Sequence, residues 1–125
     1  MTQEVLLERV TSLCMALPGC TEDLPFDDRT LVFKVGGKMF CLLDVIAFQG
    51  CALKASPDDI PEFRAQYAGV RTGPYMNGKH WNYVFPEPWG DVPWDVFAEM
   101  VATSHALVFQ GLTKKKQAAV TSGMG

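Results

Sequence analysis

Thr30-Leu31-Val32-Phe33-Lys34-Val35-Gly36-Gly37-Lys38-Met39-Phe40-Cys41-Leu42-Leu43-Asp44 is the stretch whose reading decides the fold. Two runs rich in β-branched and aromatic residues flank a Gly-Gly pair. Such a pair suits a primed hairpin turn, because both positions can take φ > 0. A two-residue loop fixes the register, pairing Val35 with Lys38, Phe33 with Phe40 and Leu31 with Leu42. With alternation of period two, Leu31, Phe33, Val35, Phe40 and Leu42 then share one face, the expected core side. Lys34 projects from the other face beside Val32, Met39 and Cys41, a face only half polar.

Working outward, residues 3–17 read as an amphipathic helix, with Leu6, Val10, Leu13, Cys14 and Leu17 at helical spacing and Thr2 as N-cap. Pro18-Gly19 stops it, and the acidic stretch 21–28 reads as an irregular connector. On the other side of the hairpin, a third strand at about 50–55 ends at Ser56-Pro57-Asp58-Asp59. These residues have the form of a capping box for a helix that runs to about Tyr67. Pro61 leaves a second start open, with the first turn broken before it. Residues 70–75 and 80–85 read as two further strands around Asn77-Gly78. On the last of them Trp81, Tyr83 and Phe85 share one side, taken as the core side, and His80, Asn82 and Val84 share the other. A rigid connector at 86–90 leads to a long helix over 93–110, with Phe97, Met100, Val101, Ser104, Leu107 and Val108 inward and Gly111 as its cap.

The resulting order is α-β-β-β-α-β-β-α. It predicts an α+β fold: a two-layer sandwich in which an antiparallel sheet of about five strands carries helices on one face and leaves the other open. At 125 residues the chain fits one domain, over 1–116, with 117–125 as a flexible C-terminal tail. Apolar residues at 48% and charged residues at 20% are globular values, far from those of a disordered chain. No run is long enough for a membrane span, and the acidic N-terminus lacks the basic start of a signal peptide, so a cytoplasmic protein without a membrane partner is expected.

Four cysteines, separated by 5, 20 and 9 residues, match no zinc spacing and include no Cys-x-x-Cys. Cys14 and Cys41 read as small buried hydrophobes; the roles of Cys20 and Cys51 stay open. The net charge of −3 is unevenly spread: −5 over residues 1–28, +3 over 29–84 and −1 over 85–125. Overall acidity disfavours indiscriminate nucleic-acid binding, whereas a local basic face permits it.

Lys34, Lys38, Lys54, Arg71 and Lys79 fall on or beside strands. They either reach phosphates from hairpins or guard strand edges against aggregation. His80 and Asn82, placed on the open face near Lys79, extend the first reading, and Trp81 is read as core. An alternative site is a small-molecule pocket with Trp81 or Trp89 as wall and His80 as polar contact. His105 reads as a helix-flank histidine with a hydrogen-bond partner, and Glu22, Asp23, Asp27 and Asp28 as a solvated connector. Lys114, Lys115 and Lys116 read as a solubilising helix end. No P-loop, Gly-x-Ser-x-Gly, dinucleotide fingerprint or metal-ligand spacing occurs. No catalytic residue, metal or cofactor is therefore assigned, and a non-enzymatic binding protein is expected.

Several segments together resemble the MmcQ/YjbR family of small bacterial proteins: Leu17-Pro18-Gly19 with Glu22-Asp23, Phe33 to Phe40, Leu53-Lys54, Met76-Asn77 with Lys79-His80-Trp81-Asn82, and Ser104-His105-Ala106-Leu107-Val108. The resemblance covers about residues 4–116. It implies a frataxin-like α/β sandwich and a double-wing DNA-binding motif, so DNA is the expected partner through Lys34, Lys38, Lys54, Arg71, Lys79, His80 and Asn82. At Gly78 the chain departs from the pattern, which has a lysine or similar polar residue there.

Overall fold

The structure, a computed structural model, describes residues 2–47, 50–73 and 76–123. In chain order its elements are α1 (Gln3–Met15), β1 (Cys20–Asp23), β2 (Thr30–Val35), β3 (Lys38–Asp44), β4 (Cys51–Lys54), α2 (Ile60–Gln66), β5 (Val70–Arg71), β6 (Trp81–Val84), α3 (Trp94–Gln110) and α4 (Lys114–Thr121). The strands form one antiparallel sheet in the order β1-β2-β3-β4-β6-β5. Leu6, Val10 and Cys14 of α1, Phe97, Val101 and Val108 of α3 and Val120 of α4 meet Phe33, Val35, Cys41, Leu43, Cys51, Leu53, Val70 and Val84 in a single core. Phe63 of α2 packs against the same cluster. The alternate strand residues Val32, Leu42, Ala52 and Tyr83 lie outside it, on the face away from the helices, where Val32 and Ala52 are nevertheless buried.

The β2–β3 hairpin turns on Gly36 (φ 58°) and Gly37 (φ 81°), left-handed values that only glycine takes without steric cost. Val35 pairs with Lys38 as expected, but the register then slips. Phe33 pairs with Cys41 and Leu31 with Leu43, leaving Phe40 as the extra residue of a β-bulge. Phe40 and Cys41 consequently both point into the core, and Leu42 moves to the open face rather than the core side. Ser104 sustains this break. Its hydroxyl donates to the Phe40 carbonyl and accepts from the Lys54 N–H at 2.8 Å, standing between two backbone groups of neighbouring strands.

Other expectations also change. The acidic connector contains β1, an edge strand whose Thr21, Glu22 and Asp23 are exposed. Charged side chains on an edge discourage pairing with another chain. The sheet therefore has six strands among the described residues, not five. α2 begins at Ile60 with Pro61 in its first turn, which selects the later of the two starts. β5 is only Val70–Arg71; Pro74 and Tyr75, expected in the same strand, lie outside the described residues. The segment expected as a flexible tail continues α4 to Thr121, with Val120 buried against Gly19; Met124 and Gly125 are outside the described residues.

The four cysteines are free. Cys14, Cys41 and Cys51 are buried and Cys20 is half-buried. A hydrogen bond with Cys41, then burial, pushes the Cys14 thiol well up, and burial pushes Cys20 to about 12. Thiols held protonated in this way are poor nucleophiles.

Candidate functional site

The register sorts charge to opposite ends of the sheet. At one end stand the hairpin tip, the last residue of β4 and the first of β6. Lys34 (paired with Met39) and Lys38 (paired with Val35) flank the tip, and Lys54 is the cross-strand partner of Trp81. Lys79 and His80 form the turn before β6, and the His80 carbonyl accepts from Ala55 N–H at 2.9 Å, next to Lys54. Leu112 packs on the hairpin tip: a Cβ at Gly36 would lie 2.6 Å from its Cδ1. That contact brings Lys114, Lys115 and Lys116, the first turn of α4, to the same end. All seven lysines of the chain thus gather there.

Asp23, Asp27 and Asp44 stand at the other end, while Asp59 and Glu99 line a pocket beside Lys54. Asp27 accepts from the N–H groups of Arg29 and Thr30, which hold its carboxyl below the ordinary range. Burial pushes Asp44 upward, but the Arg29 guanidinium and the N–H groups of Ala47 and Ile46 outweigh it and leave it lowered. Asp23 accepts from Leu24 N–H at 2.8 Å.

The residues singled out from the sequence divide by face. Lys34, Lys54 and Arg71 share the open face. Lys38 lies on the core side of the tip, and Lys79 and His80 are exposed on the turn. Asn82 is not on the open face. It is 2% exposed on the helix side, where its Oδ1 accepts from Arg64 Nε at 2.9 Å. β6 is therefore inverted relative to expectation: Asn82 and Val84 face the core, while Trp81 and Tyr83 face outward, joined by Phe85 just beyond the strand. Arg71 stacks its guanidinium 4.2 Å from the Phe85 ring centre. Gly73 lies directly against the Tyr83 ring, so close that a Cβ there would collide with it. Tyr83, Phe85, Phe26, Met39, Leu42 and Met76 line a groove of about 860 Å³ on this face. Trp89 packs against the helix-side core, and neither Trp81 nor Trp89 is among the residues lining this groove.

Arg64 was not legible as a site residue. Its half-buried guanidinium donates to Asn82 Oδ1, to the Gly78 carbonyl at 2.9 Å and to the Trp81 carbonyl at 3.2 Å. One side chain thereby fixes the turn that carries Lys79, His80 and Trp81; no local motif around residue 64 announces this. His105 is buried, with Nε2 2.8 Å from the Pro18 carbonyl and its ring edge-on to Phe40, so its expected hydrogen-bond partner is a backbone oxygen. Among the described residues, no three His, Cys, Asp or Glu side chains are grouped to hold a metal ion.

A family model described as YjbR matches residues 15–107. Over 124 residues the chain is 30% identical to the uncharacterised protein YbdF of Escherichia coli O157:H7, covering 98% of this chain and 100% of that one. The crystal structure of a Deinococcus radiodurans protein with a DUF419 domain matches at a TM-score of 0.81 and 31% identity, over 92% of this chain and 87% of that one. A Pseudomonas syringae protein of known structure matches at a TM-score of 0.65 over 86% of this chain and 98% of its own; at 17% identity it shares the fold.

Proposed function

This chain belongs to the YjbR family, and we propose that it is a non-enzymatic nucleic-acid-binding protein that meets the phosphate backbone, DNA first, with the lysine-rich end of its sheet. The observation that carries this reading is the gathering of all seven lysines at one end of a chain whose net charge is −3. An acidic protein with its lysines spread evenly would repel a polyanion. Concentrated at one end, the lysines give a local positive field that also orients the approach. Lys34 and Lys54 present that charge from the open face, Lys79 from the turn and Lys38 from the hairpin tip. The free thiols of the four cysteines suit a reducing cytoplasm.

Binding by such contacts is driven by release of condensed counterions. About five phosphate contacts on duplex DNA give a slope near −4.5 in log K against log salt. A fluorescence-anisotropy titration of labelled DNA between roughly 50 and 200 mM salt tests it. The expected result is affinity falling steeply with salt; no binding at the lowest salt, or binding indifferent to salt, overturns the reading.

The open-face groove favours a second reading, a small-molecule module. Its volume of about 860 Å³ falls in the range of ligand pockets, and its walls are Phe26, Met76, Tyr83 and Phe85 rather than the expected His80, Trp81 and Trp89. A thermal-shift screen of aromatic metabolites, read in the unaltered protein and in Tyr83→Ala, separates this reading from the first.

A further inference from the structure

We infer that the nucleic acid this protein prefers is single-stranded: an unpaired base stacks on Trp81 while Lys54 and Lys34 hold neighbouring phosphates across the open face. The inference rests on the nucleic-acid reading above and adds the strandedness.

Trp81 differs from the other two tryptophans. Trp94 sits edge-on to Phe97 at 5.3 Å, beneath the Arg9 guanidinium, and Trp89 packs on the helix-side core. Trp81 stands on the face that no helix covers, and it is only half-buried. Its backbone is held on both sides, N–H to the Asn77 carbonyl at 3.0 Å and carbonyl to Arg64 Nη2 at 3.2 Å. The backbone from which the indole projects is thus fixed by bonds that do not use the ring. A large aromatic anchored by its backbone among cations is the composition of a base-stacking platform. Its cross-strand partner is Lys54, and Lys34 lies two strands further along the sheet, a span of roughly 10 Å.

Shape decides between one strand and two. Six strands at about 4.8 Å spacing make a face some 25 Å across, twice the roughly 12 Å width of the major groove. The face cannot enter a groove, so a duplex would touch it only with phosphates and keep its bases stacked away from Trp81. A single strand laid over the sheet offers base faces and phosphates together.

Anisotropy titrations with oligothymidylate and with a duplex of equal length, at one salt concentration, test this, with tryptophan fluorescence followed in parallel. The single strand is expected to bind about tenfold or more tighter than the duplex and to quench emission. Trp81→Leu should lose roughly five- to a hundredfold in single-strand affinity, the usual range for removing one stacking ring, while duplex affinity and the salt slope stay unchanged. Oligouridylate run alongside distinguishes RNA from DNA, and either meets the inference. Should Trp81→Leu fold poorly by circular dichroism, protection of tryptophan from acrylamide quenching by the single strand, and not by the duplex, serves in the unaltered protein. Duplex binding as tight as single-strand binding, or an undiminished Trp81→Leu, overturns the inference and leaves the phosphate reading standing. No binding of either nucleic acid at low salt removes both.

Discussion

The two ends of the sheet use their charges in opposite ways. At the acidic end Asp23, Asp27 and Asp44 each accept hydrogen bonds from nearby backbone, and Asp44 also pairs with Arg29. Those carboxylates hold loops. The ion pair between Arg29 and Asp44 also stands at that acidic end, away from the lysines. The contrast extends to the helices. α1 opens with Glu4 in its first turn, where an acid complements the positive end of the helix dipole. α4 opens with three lysines, where the dipole opposes them. Charge at one end stabilises the fold; in the first turn of α4 it stands against the helix dipole, where the proposed polyanion would offset it.

Breaking that contrast at the lysine end should have the largest consequence. Lys34→Glu, Lys54→Glu and Lys79→Glu combined reverse three contacts, and DNA affinity near 100 mM salt should fall by about a thousandfold, with the salt slope reduced by about three. Urea unfolding should change little, because among the described residues none of the three ammonium groups stands in an ion pair, and Lys79 is exposed, Lys34 and Lys54 half-buried. An affinity loss below about tenfold in the same titration would mean that these lysines are not the contacts.

The next effect concerns how the lysine end is built. Ser104→Ala removes the hydroxyl that joins the Phe40 carbonyl to the Lys54 N–H. Two largely buried backbone groups lose their partner, at about 1–3 kcal/mol each. A loss of about 2–4 kcal/mol in urea unfolding is expected. Ser104→Thr, which retains a hydroxyl, should recover part of it.

That serine also marks where sequence stops determining the fold. The Gly36-Gly37 turn and the Val35–Lys38 pair are local matters, and the chain declares them. The bulge at Phe40 is not local, since its carbonyl is claimed by a residue 64 positions away. On β6 aromatic bulk points to core, and the pairing places it outward. There the narrower Asn82 and Val84 fit beneath the helices, Arg64 satisfies the buried amide, and Trp81, Tyr83 and Phe85 turn outward. Gly73 was the available signal, a glycine placed where the backbone must lie against the Tyr83 ring. β1 looked irregular because an acidic edge strand shows no alternation; only pairing with β2 defines it. Alternation along the hairpin puts Lys34 opposite the core side; Lys54 and Arg71, to which the sequence gives no face, join it only through the β4–β6 and β5–β6 pairing. The arrival of Lys114, Lys115 and Lys116 beside them depends on Leu112 meeting Gly36, a contact no local pattern encodes.

Changes at the acidic end should be smaller and confined to stability. Asp27 and Asp44 have folded-state pKa values below their ordinary ones, so their contribution is complete above the unfolded pKa and is lost as pH falls through the folded one. The melting temperature should hold from neutral pH down to about 5 and decline through the ordinary carboxylate range near 4 and below. Asp44→Asn should flatten part of that decline and cost about 0.2–1 kcal/mol at neutral pH, the usual worth of an exposed ion pair. DNA affinity at pH 7 should not weaken in this variant, since the carboxylate lies at the end away from the lysines. A weakening would show that the two ends are coupled.

The smallest effect is the most discriminating, because its two readouts should move in opposite directions. Lys115→Glu replaces a cation in the first turn of α4 by an anion, which the helix dipole favours by about 0.3–1 kcal/mol. Thr113 still caps the helix, its Oγ1 accepting from Lys116 N–H at 3.2 Å, so backbone satisfaction does not change. Stability in urea should therefore rise slightly. The same substitution puts a negative charge beside the hairpin tip, where phosphate is proposed to sit, and DNA affinity at low salt should drop several-fold. A helix end kept only for solubility would show the gain without the loss, because Glu solubilises a surface at least as well as Lys. Observing both, in one variant with one charge reversed, would show that the lysines of α4 are retained against the preference of the helix that carries them.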